Sequence, residues 1–140
     1  MSDNPCQPAV DPVAAQTSAV AKRLKQLMLE GKGHEAMVEL YAPDARHIEA
    51  MEMPGGPYKR ITQGKDALLK MSEHWNKTTQ VHDASVSTPR VNGDQFTCEM
   101  MIDATSTEGP MAGQRMKMEE TCLYTVKNGL ITEAKFFYGC

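Results

Sequence analysis

Two titratable residues stand two positions apart in a segment of alternating polar and apolar residues. His47 and Glu49 lie in the stretch from Ala45 to Glu52, which fits a β-strand. Because successive side chains of a strand point to opposite faces, His47 and Glu49 share one face. A carboxyl beside an imidazole can act as a proton-transfer pair, since both groups titrate near neutral pH once perturbed. Both are candidate catalytic residues. The alternative is a solvated strand edge with a surface histidine.

A third candidate is Glu120, a carboxyl in a face that is otherwise apolar. The other residues of that face are Met116, Met118, Cys122, Tyr124 and Val126. An apolar environment disfavours the charged carboxylate and raises its pKa toward neutrality, which suits general acid or base catalysis. The alternative is that Glu120 points to the rim of the fold or pairs with a lysine or arginine.

Metal and zinc chemistry are poorly supported by the spacing of the ligand-type residues. The His47-x-Glu49 pair resembles a zinc-deaminase fragment, but no P-C-x-x-C accompanies it and the segment has strand character. The four cysteines contain no C-x-x-C spacing. Cys98 and Cys122 are predicted to be reduced thiols that pack as small core residues. We therefore expect no metal site and no cofactor.

A series of helices and strands must position these residues. Asp11-Pro12 predicts the start of a helix that stops at Gly31-Lys32-Gly33. A short second helix follows and is ended by Pro43-Asp44; its apolar residues are Met37, Val38, Leu40 and Tyr41. After the strand at Ala45 come a third helix and a run of strands joined by turns at Asn92-Gly93 and Asn128-Gly129. Their predicted ranges are Lys65–Lys77, Val81–Val91, Phe96–Ala104, Met116–Val126 and Leu130–Tyr138. Helices followed by an antiparallel meander indicate an α+β fold.

Length and charge restrict the class of protein further. The chain has 140 residues, of which 15 are Lys or Arg and 18 are Asp or Glu, so its net charge is −3. We expect a single domain at 11–140, preceded by a disordered tail at 1–10. A net negative charge disfavours nucleic-acid binding, and no apolar run is long enough to span a membrane. No secretory signal is recognisable, so a cytoplasmic protein is expected.

The methionine content suggests a soft apolar pocket. Eleven methionines accompany only three Phe and one Trp, and methionine adapts to irregular cavities and varied ligands. Tyr124 and Tyr138 could each donate a hydrogen bond into such a pocket. A methionine-rich core without a pocket is the alternative. The candidate pocket residues are Trp75, Met100, Met116, Met118, Cys122, Tyr124, Phe136 and Tyr138.

Three segments in this order resemble the nuclear transport factor 2-like superfamily, which includes ketosteroid isomerase and the SnoaL-like polyketide cyclases. They are ELYAPDARHIEAMEMPGG at 39–56, ITQGKDALLKMSEHW at 61–75 and YTVKNGLITEAKFFYG at 124–139. The resemblance implies a cone-shaped, curved antiparallel sheet wrapped around the N-terminal helices, with an apolar cavity. It also implies a homodimer paired through the outer face of the sheet.

The resemblance also implies roles for particular positions. In isomerase-like members the first strand carries the general-base carboxylate, and that position falls at Glu49. Their oxyanion-donating tyrosine would fall near Leu24 or Lys25, where no tyrosine stands, and their acid partner falls near Met118. Cys122 occupies a position that is acidic in many relatives. The steroid-isomerase set of residues is therefore not reproduced, whereas a SnoaL-like cyclase is less excluded.

Two functions follow from these observations. The first is a cofactor-independent acid/base isomerase or cyclase that acts on a small hydrophobic carbonyl compound. In it, Glu49 removes a proton, His47 tunes Glu49, and neutral Glu120 donates a hydrogen bond to the enolate. The second is a non-catalytic module that binds apolar ligands or supports assembly. The first requires Glu49 and Glu120 to face one cavity.

Overall fold

The computed structural model describes residues 11–50 and 59–138, which form three helices and seven strands. The predicted tail at 1–10, the predicted loop at 54–57 and the last two residues lie outside the described residues. The elements, in chain order, are α1 (Pro12–Leu29), α2 (Gly33–Leu40), β1 (Tyr41–Glu49), β2 (Ile61–Gln63), α3 (Lys65–Thr78), β3 (Thr79–Val86), β4 (Arg90–Asn92), β5 (Gln95–Ser106), β6 (Arg115–Lys127) and β7 (Leu130–Tyr138).

Helix α1 begins and ends where its sequence predicts. The Asp11 carboxylate accepts hydrogen bonds from the backbone N–H groups of Val13 and Ala14 at 3.1 and 3.2 Å, and Pro12 is the first helical residue. The chain leaves the helix through Gly31, whose φ of 74° is unfavourable for residues with a Cβ. The buried stripe of α1 consists of Thr17, Val20, Ala21, Leu24 and Leu27.

The first strand begins earlier than predicted. The prediction placed Tyr41 in the second helix and the strand from Ala45, whereas α2 ends at Leu40 and β1 starts at Tyr41. Proline disfavours the helical conformation of the residue before it, and Tyr41 and Ala42 are buried in the core. The exposed residues Pro43 and Asp44 lie within a register shift of β1, where the ladder does not need the N–H that proline lacks.

The predicted strand from Val81 to Val91 is interrupted. The structure has β3 at Thr79–Val86 and the short β4 at Arg90–Asn92, separated by three residues that include Pro89. Proline cannot donate to a ladder, so continuous pairing with β5 stops there. The Ser87 N–H still donates to the Glu99 carbonyl at 2.8 Å, which keeps the broken strand on the sheet.

The sheet has the order β2-β1-β7-β6-β5-β3, with β4 also paired to β5. All of its pairings are antiparallel except that between β1 and β7, which is parallel. The expected cone-shaped α+β fold is confirmed, with a sheet that is mixed at this one junction. The parallel junction places the end of β1 beside the end of β7, where the candidate residues lie.

The hydrophobic core lies between α1 and the inner face of the sheet. The helix contributes Val20, Leu24 and Leu27, and α2 and α3 add Leu40 and the fully buried Leu68. The strands contribute alternate residues, as the period-two pattern predicts: Tyr41, Ala45, Phe96, Cys98, Met100, Cys122, Tyr124, Val126, Ile131, Ala134 and Phe136. Within residues 11–50 and 59–138, no helix is long and apolar enough to cross a membrane.

Candidate active site

The inner face carries a polar cluster where β1 and β7 end beside the middle of β6. In the β6–β7 ladder Glu120 is directly opposite Tyr138, and on its other side Glu120 is opposite Met100 of β5. In the parallel ladder Glu49 is the partner of Phe136. Since cross-strand partners project from the same face, all five side chains occupy the inner face.

Tyr138 joins the two ends of this cluster. Its hydroxyl donates a short hydrogen bond to Oε2 of Glu49, across the parallel junction. Burial raises the pKa of the Glu49 carboxyl, and the hydrogen bond from Tyr138 acts in the opposite direction because it stabilises the carboxylate. Burial, together with this bond to Glu49, raises the pKa of the Tyr138 hydroxyl. The hydroxyl therefore stays protonated and acts as a donor.

Among the carboxyls of the described residues, that of Glu120 has the pKa that departs most from its ordinary value. Burial raises its pKa to about 7, and the negative charge of Glu49 adds to this effect. The ion pairs of the described residues use other carboxylates, namely those of Glu30, Glu39, Asp103, Glu108 and Glu133. An uncompensated carboxyl beside Met100 and Tyr138 can therefore hold a proton near neutral pH.

His47 is buried on the same face of β1, two residues before Glu49. Its side chain is 6% exposed, so the alternative of a surface histidine is wrong for this residue. The His47 Nε2 atom and the Tyr41 hydroxyl are 2.8 Å apart, and the ring lies edge-on to Phe136 at 4.8 Å. Burial lowers the pKa of His47 to about 4, so the imidazole is neutral at physiological pH. Its observed hydrogen bond is with Tyr41.

The predicted pocket residues fall into two groups. Met100, Cys122, Tyr124 and Phe136 are buried and belong to the packed core, where Tyr124 stacks on Phe96 at 4.8 Å. Cys98 and Cys122 are free thiols and are buried, as predicted. The second group is less buried and consists of Trp75 on α3, Met118, Met116 at 36% exposure and Tyr138 at 43% exposure.

Sequence reasoning missed the pairing of Tyr138 with Glu49. The alternation of β7 places Phe136 and Tyr138 on one face, but nothing in it shows which strand borders β7 on its other side. The signal that was available is the Asn128-Gly129 turn, which sets Glu120 and the end of β7 near each other. The parallel neighbour β1 follows from tertiary packing alone.

The histidines and acidic residues do not assemble into a metal-type cluster in the described part of the chain. There, no group of three or more His, Cys, Asp or Glu side chains is placed to hold a metal ion. His74 pairs with Glu108, and the His82 ring bonds the Thr105 hydroxyl at 2.8 Å. His47, Glu49, His74 and His82, the residues whose types could in principle gather a metal, are thus spread over β1, α3 and β3.

The fold and the cluster define a small α+β cone domain that carries carboxyl groups on an apolar inner face. The sequence profile of the SnoaL-like domain family matches residues 15–138. The chain therefore belongs to the SnoaL-like family. No functionally curated protein matches the sequence significantly.

Solved structures agree with this assignment. A Mesorhizobium loti protein, provisionally named both a SnoaL-like polyketide cyclase and a carbohydrate phosphatase, is 40% identical with a TM-score of 0.77, over 86% of this chain and 97% of that one. A provisionally named SnoaL-like polyketide cyclase from Jannaschia is 14% identical with a TM-score of 0.68, over 94% and 91% of the two chains. A provisionally named ketosteroid isomerase from Kribbella flavida is 19% identical with a TM-score of 0.62, over 91% and 80%. The last two similarities support the fold alone.

Proposed function

We propose that this protein is a cofactor-independent acid/base isomerase or cyclase that acts on a small, hydrophobic, carbonyl-bearing ligand. One observation carries the proposal: Glu49 and Glu120, contributed by separate strands, occupy one inner face with Tyr138 between them. Burial makes the two carboxyls different in acidity, and such differences are how one site supplies both an acid and a base at neutral pH.

In the proposed reaction, Glu49 is the general base. Its carboxylate removes the proton from the carbon next to the carbonyl, and the electron pair of that C–H bond moves to the carbonyl oxygen to form an enolate. Protonated Glu120 donates a hydrogen bond to this oxygen and stabilises its developing charge. Where a C=C bond of the ligand extends the enolate, protonated Glu49 returns the proton to the far carbon and the double bond shifts, which is isomerisation. Where the ligand holds a second carbonyl, the enolate carbon attacks it, and protonated Glu49 returns the proton to the resulting alkoxide, which completes ring closure.

The surroundings of the carboxyls support this assignment of roles. The pKa of Glu120 at about 7 allows it to be protonated while the carboxylate of Glu49 is held by Tyr138. Met100 and Phe136 belong to the packed core and place apolar side chains beside the carboxyls, and such an environment strengthens electrostatic interactions. His47 is neutral and bonded to Tyr41, so we assign it a packing role beneath Glu49 in place of the tuning role first expected.

The test is proton exchange, because it needs no knowledge of the natural substrate. β-Tetralone, a hydrophobic ketone with acidic α-protons, is incubated with the protein in D₂O and its deuterium content is followed by mass spectrometry. Wild type is expected to accelerate exchange, and Glu49→Gln to lower the catalysed rate about 100-fold or more. Glu119→Gln is the matched control, since Glu119 is exposed and neighbours Glu120 on the strand.

Two results would contradict the proposal. If Glu49→Gln retained the wild-type rate, Glu49 would not be the base. If wild type bound apolar ketones without exchange, with an affinity that Glu49→Gln left unchanged, the protein would be a non-catalytic ligand-binding module.

We also propose that the protein is a homodimer that pairs through the outer face of the sheet. Phe137 is on that face and 48% exposed, although the neighbouring Phe136 is buried. The pairing is the one that the family resemblance implies, and Phe137 is an exposed apolar side chain of that face at which it can be tested. The cytoplasmic location expected from the sequence stays a prediction.

A further inference from the structure

Tyr138 stands between the two carboxyls of the site. Its backbone is directly opposite Glu120 in the β6–β7 ladder, and its hydroxyl reaches across the parallel junction to donate to Glu49. Tyr138 is the last residue of β7 and is partly exposed, so it lies at the border of the packed core. The observed hydrogen bond is to Glu49 and makes the two carboxyls unequal.

The inequality matters because the carboxyls influence each other. The charge of the Glu49 carboxylate adds to the effect of burial in raising the pKa of Glu120, so below about pH 7 the pair holds one proton in preference to none. A hydrogen-bond donor that reaches one carboxyl and not the other decides which of them holds that proton. A phenol whose own ionisation is disfavoured keeps a proton to donate, and donation to a carboxylate favours the charged form of that carboxyl.

The other titratable and charged groups near the pair do not distinguish the carboxyls in this way. His47, on β1, is neutral and bonded to Tyr41. Lys25, on α1, acts electrostatically on the Cys98 thiol. Arg60 accepts the Glu49 N–H at its backbone carbonyl, and the effect of its cationic side chain on Glu49 is what the Arg60→Gln variant measures. The buried hydroxyl and thiol groups that sense the charge of Glu120 are those of Tyr124, Cys98 and Cys122.

We propose that Tyr138 is a positioning residue that assigns the shared proton: its hydroxyl holds Glu49 as the carboxylate and leaves the proton on Glu120. The proposal deepens the proposed function and rests on it for its catalytic meaning. The distribution of the proton can nevertheless be measured without any substrate. Removing the hydroxyl narrows the difference between the two carboxyls, so a larger part of the population carries the proton on Glu49 and lacks a base.

The experiment is a carboxyl titration of the full chain labelled with ¹³C at the glutamate side-chain carboxyl. Spectra are recorded from pH 3 to pH 9, and Glu49→Gln and Glu120→Gln identify the two signals. In wild type, Glu49 is expected to titrate at lower pH than Glu120. Tyr138→Phe is expected to move the Glu49 midpoint upward by about one pH unit, the size expected for losing one hydrogen bond to a carboxylate.

Three further variants make the result specific. Tyr41→Phe removes a hydroxyl that bonds His47 and is expected to leave the Glu49 midpoint in place. Tyr138→Gln, which offers an amide donor, is expected to restore part of the wild-type difference. Arg60→Gln is expected to move the Glu49 midpoint less than Tyr138→Phe does. An unchanged Glu49 midpoint in folded Tyr138→Phe, or a larger shift in Arg60→Gln, overturns the proposal.

The β-tetralone assay separates this inference from the proposed function. Tyr138→Phe is expected to shift the acidic limb of the exchange pH profile upward together with the Glu49 midpoint, because the base must be deprotonated to act. If the titrations behave as expected but no exchange occurs, the proposed function fails and the proton assignment stands. If exchange requires Glu49 but Tyr138→Phe moves neither its midpoint nor the pH profile, the proton assignment fails alone.

Discussion

At the scale of single residues, burial acts on His47 and Glu120 with opposite consequences for stability. His47 has a folded pKa of about 4 against an ordinary 6.5, so between these values the unfolded chain binds the extra proton and stability rises with pH. This contribution amounts to about 3 kcal/mol in the free energy of unfolding across that window. Glu120 has a folded pKa of about 7 against an ordinary 4.5. Here the folded state binds the extra proton, so the free energy of unfolding falls as the pH rises from about 4.5 to about 7.

These opposing slopes give a prediction for urea unfolding between pH 4.5 and pH 7. Wild type is expected to change little in stability because the two contributions offset each other. Glu120→Gln removes the falling contribution, so its free energy of unfolding is expected to rise with pH by about 1 kcal/mol or more. The control Glu119→Gln should follow wild type. Parallel profiles for Glu120→Gln and wild type would show that Glu120 titrates normally in the folded protein.

At the scale of elements, the β6–β7 hairpin fixes the geometry of the cluster. Its turn is Asn128-Gly129, with φ values of 52° and 77°, the conformation typical of tight two-residue hairpins. One register shift follows, between Thr125 and Val126. A two-residue turn without this shift would place Glu120 opposite Phe137. The bulge therefore brings Tyr138 opposite Glu120 and turns Phe136 inward.

The turn gives a prediction about backbone strain. Gly129→Ala is expected to lower the free energy of unfolding by roughly 1–2 kcal/mol, because residues with a Cβ are disfavoured at positive φ. Crowding would add little, since the nearest side-chain atom to an added Cβ is Nε2 of Gln16 at 3.5 Å. The comparison is Gly33→Ala at the start of α2, where φ is not positive and alanine is expected to be neutral or stabilising. Equal effects of the two substitutions in urea unfolding would contradict this account.

At the scale of the whole molecule, the site needs elements from both ends of the chain. Glu49 comes from β1, whereas Glu120 and Tyr138 come from the C-terminal hairpin, and the parallel β1–β7 junction unites them. The hairpin alone would hold Glu120 and Tyr138 without the proposed base. Acid/base chemistry at this cluster therefore depends on the assembled sheet, in which β1 pairs with β7.

The proposed homodimer is tested at this scale. Sedimentation velocity is expected to give a dimer for wild type and a monomer for Phe137→Asp, because burying an unpaired carboxylate against a partner is costly. Val38→Asp is the matched control, since Val38 is equally exposed, at 51%, but lies on α2. A monomeric wild type, or dissociation by both substitutions, would exclude pairing through the outer face at Phe137.

The sequence by itself determined the α+β fold, the N-terminus of α1 at Asp11-Pro12, the Asn128-Gly129 turn and the burial of alternate strand residues. The other predicted hairpin also forms, but its loop residues are Gly93 and Asp94, because Asn92 pairs with Gln95 at the end of β4. These features depend on capping, turn geometry and period-two patterning, which act between residues close in the chain. It also identified Glu49 and Glu120 as candidates, because a carboxyl in an apolar pattern is visible without a structure.

Only the tertiary structure decided that β1 lies parallel to β7, that a bulge places Tyr138 opposite Glu120, and that the Tyr138 hydroxyl bonds Glu49. It also decided that His47 is buried against Tyr41 and neutral, that Pro43 lies within β1 and that the strand before Pro89 stops short. The physical reason is that strand order and register minimise exposed apolar area over the whole core at once. Residues about 90 positions apart in the chain thereby become neighbours, and no local pattern specifies such a contact.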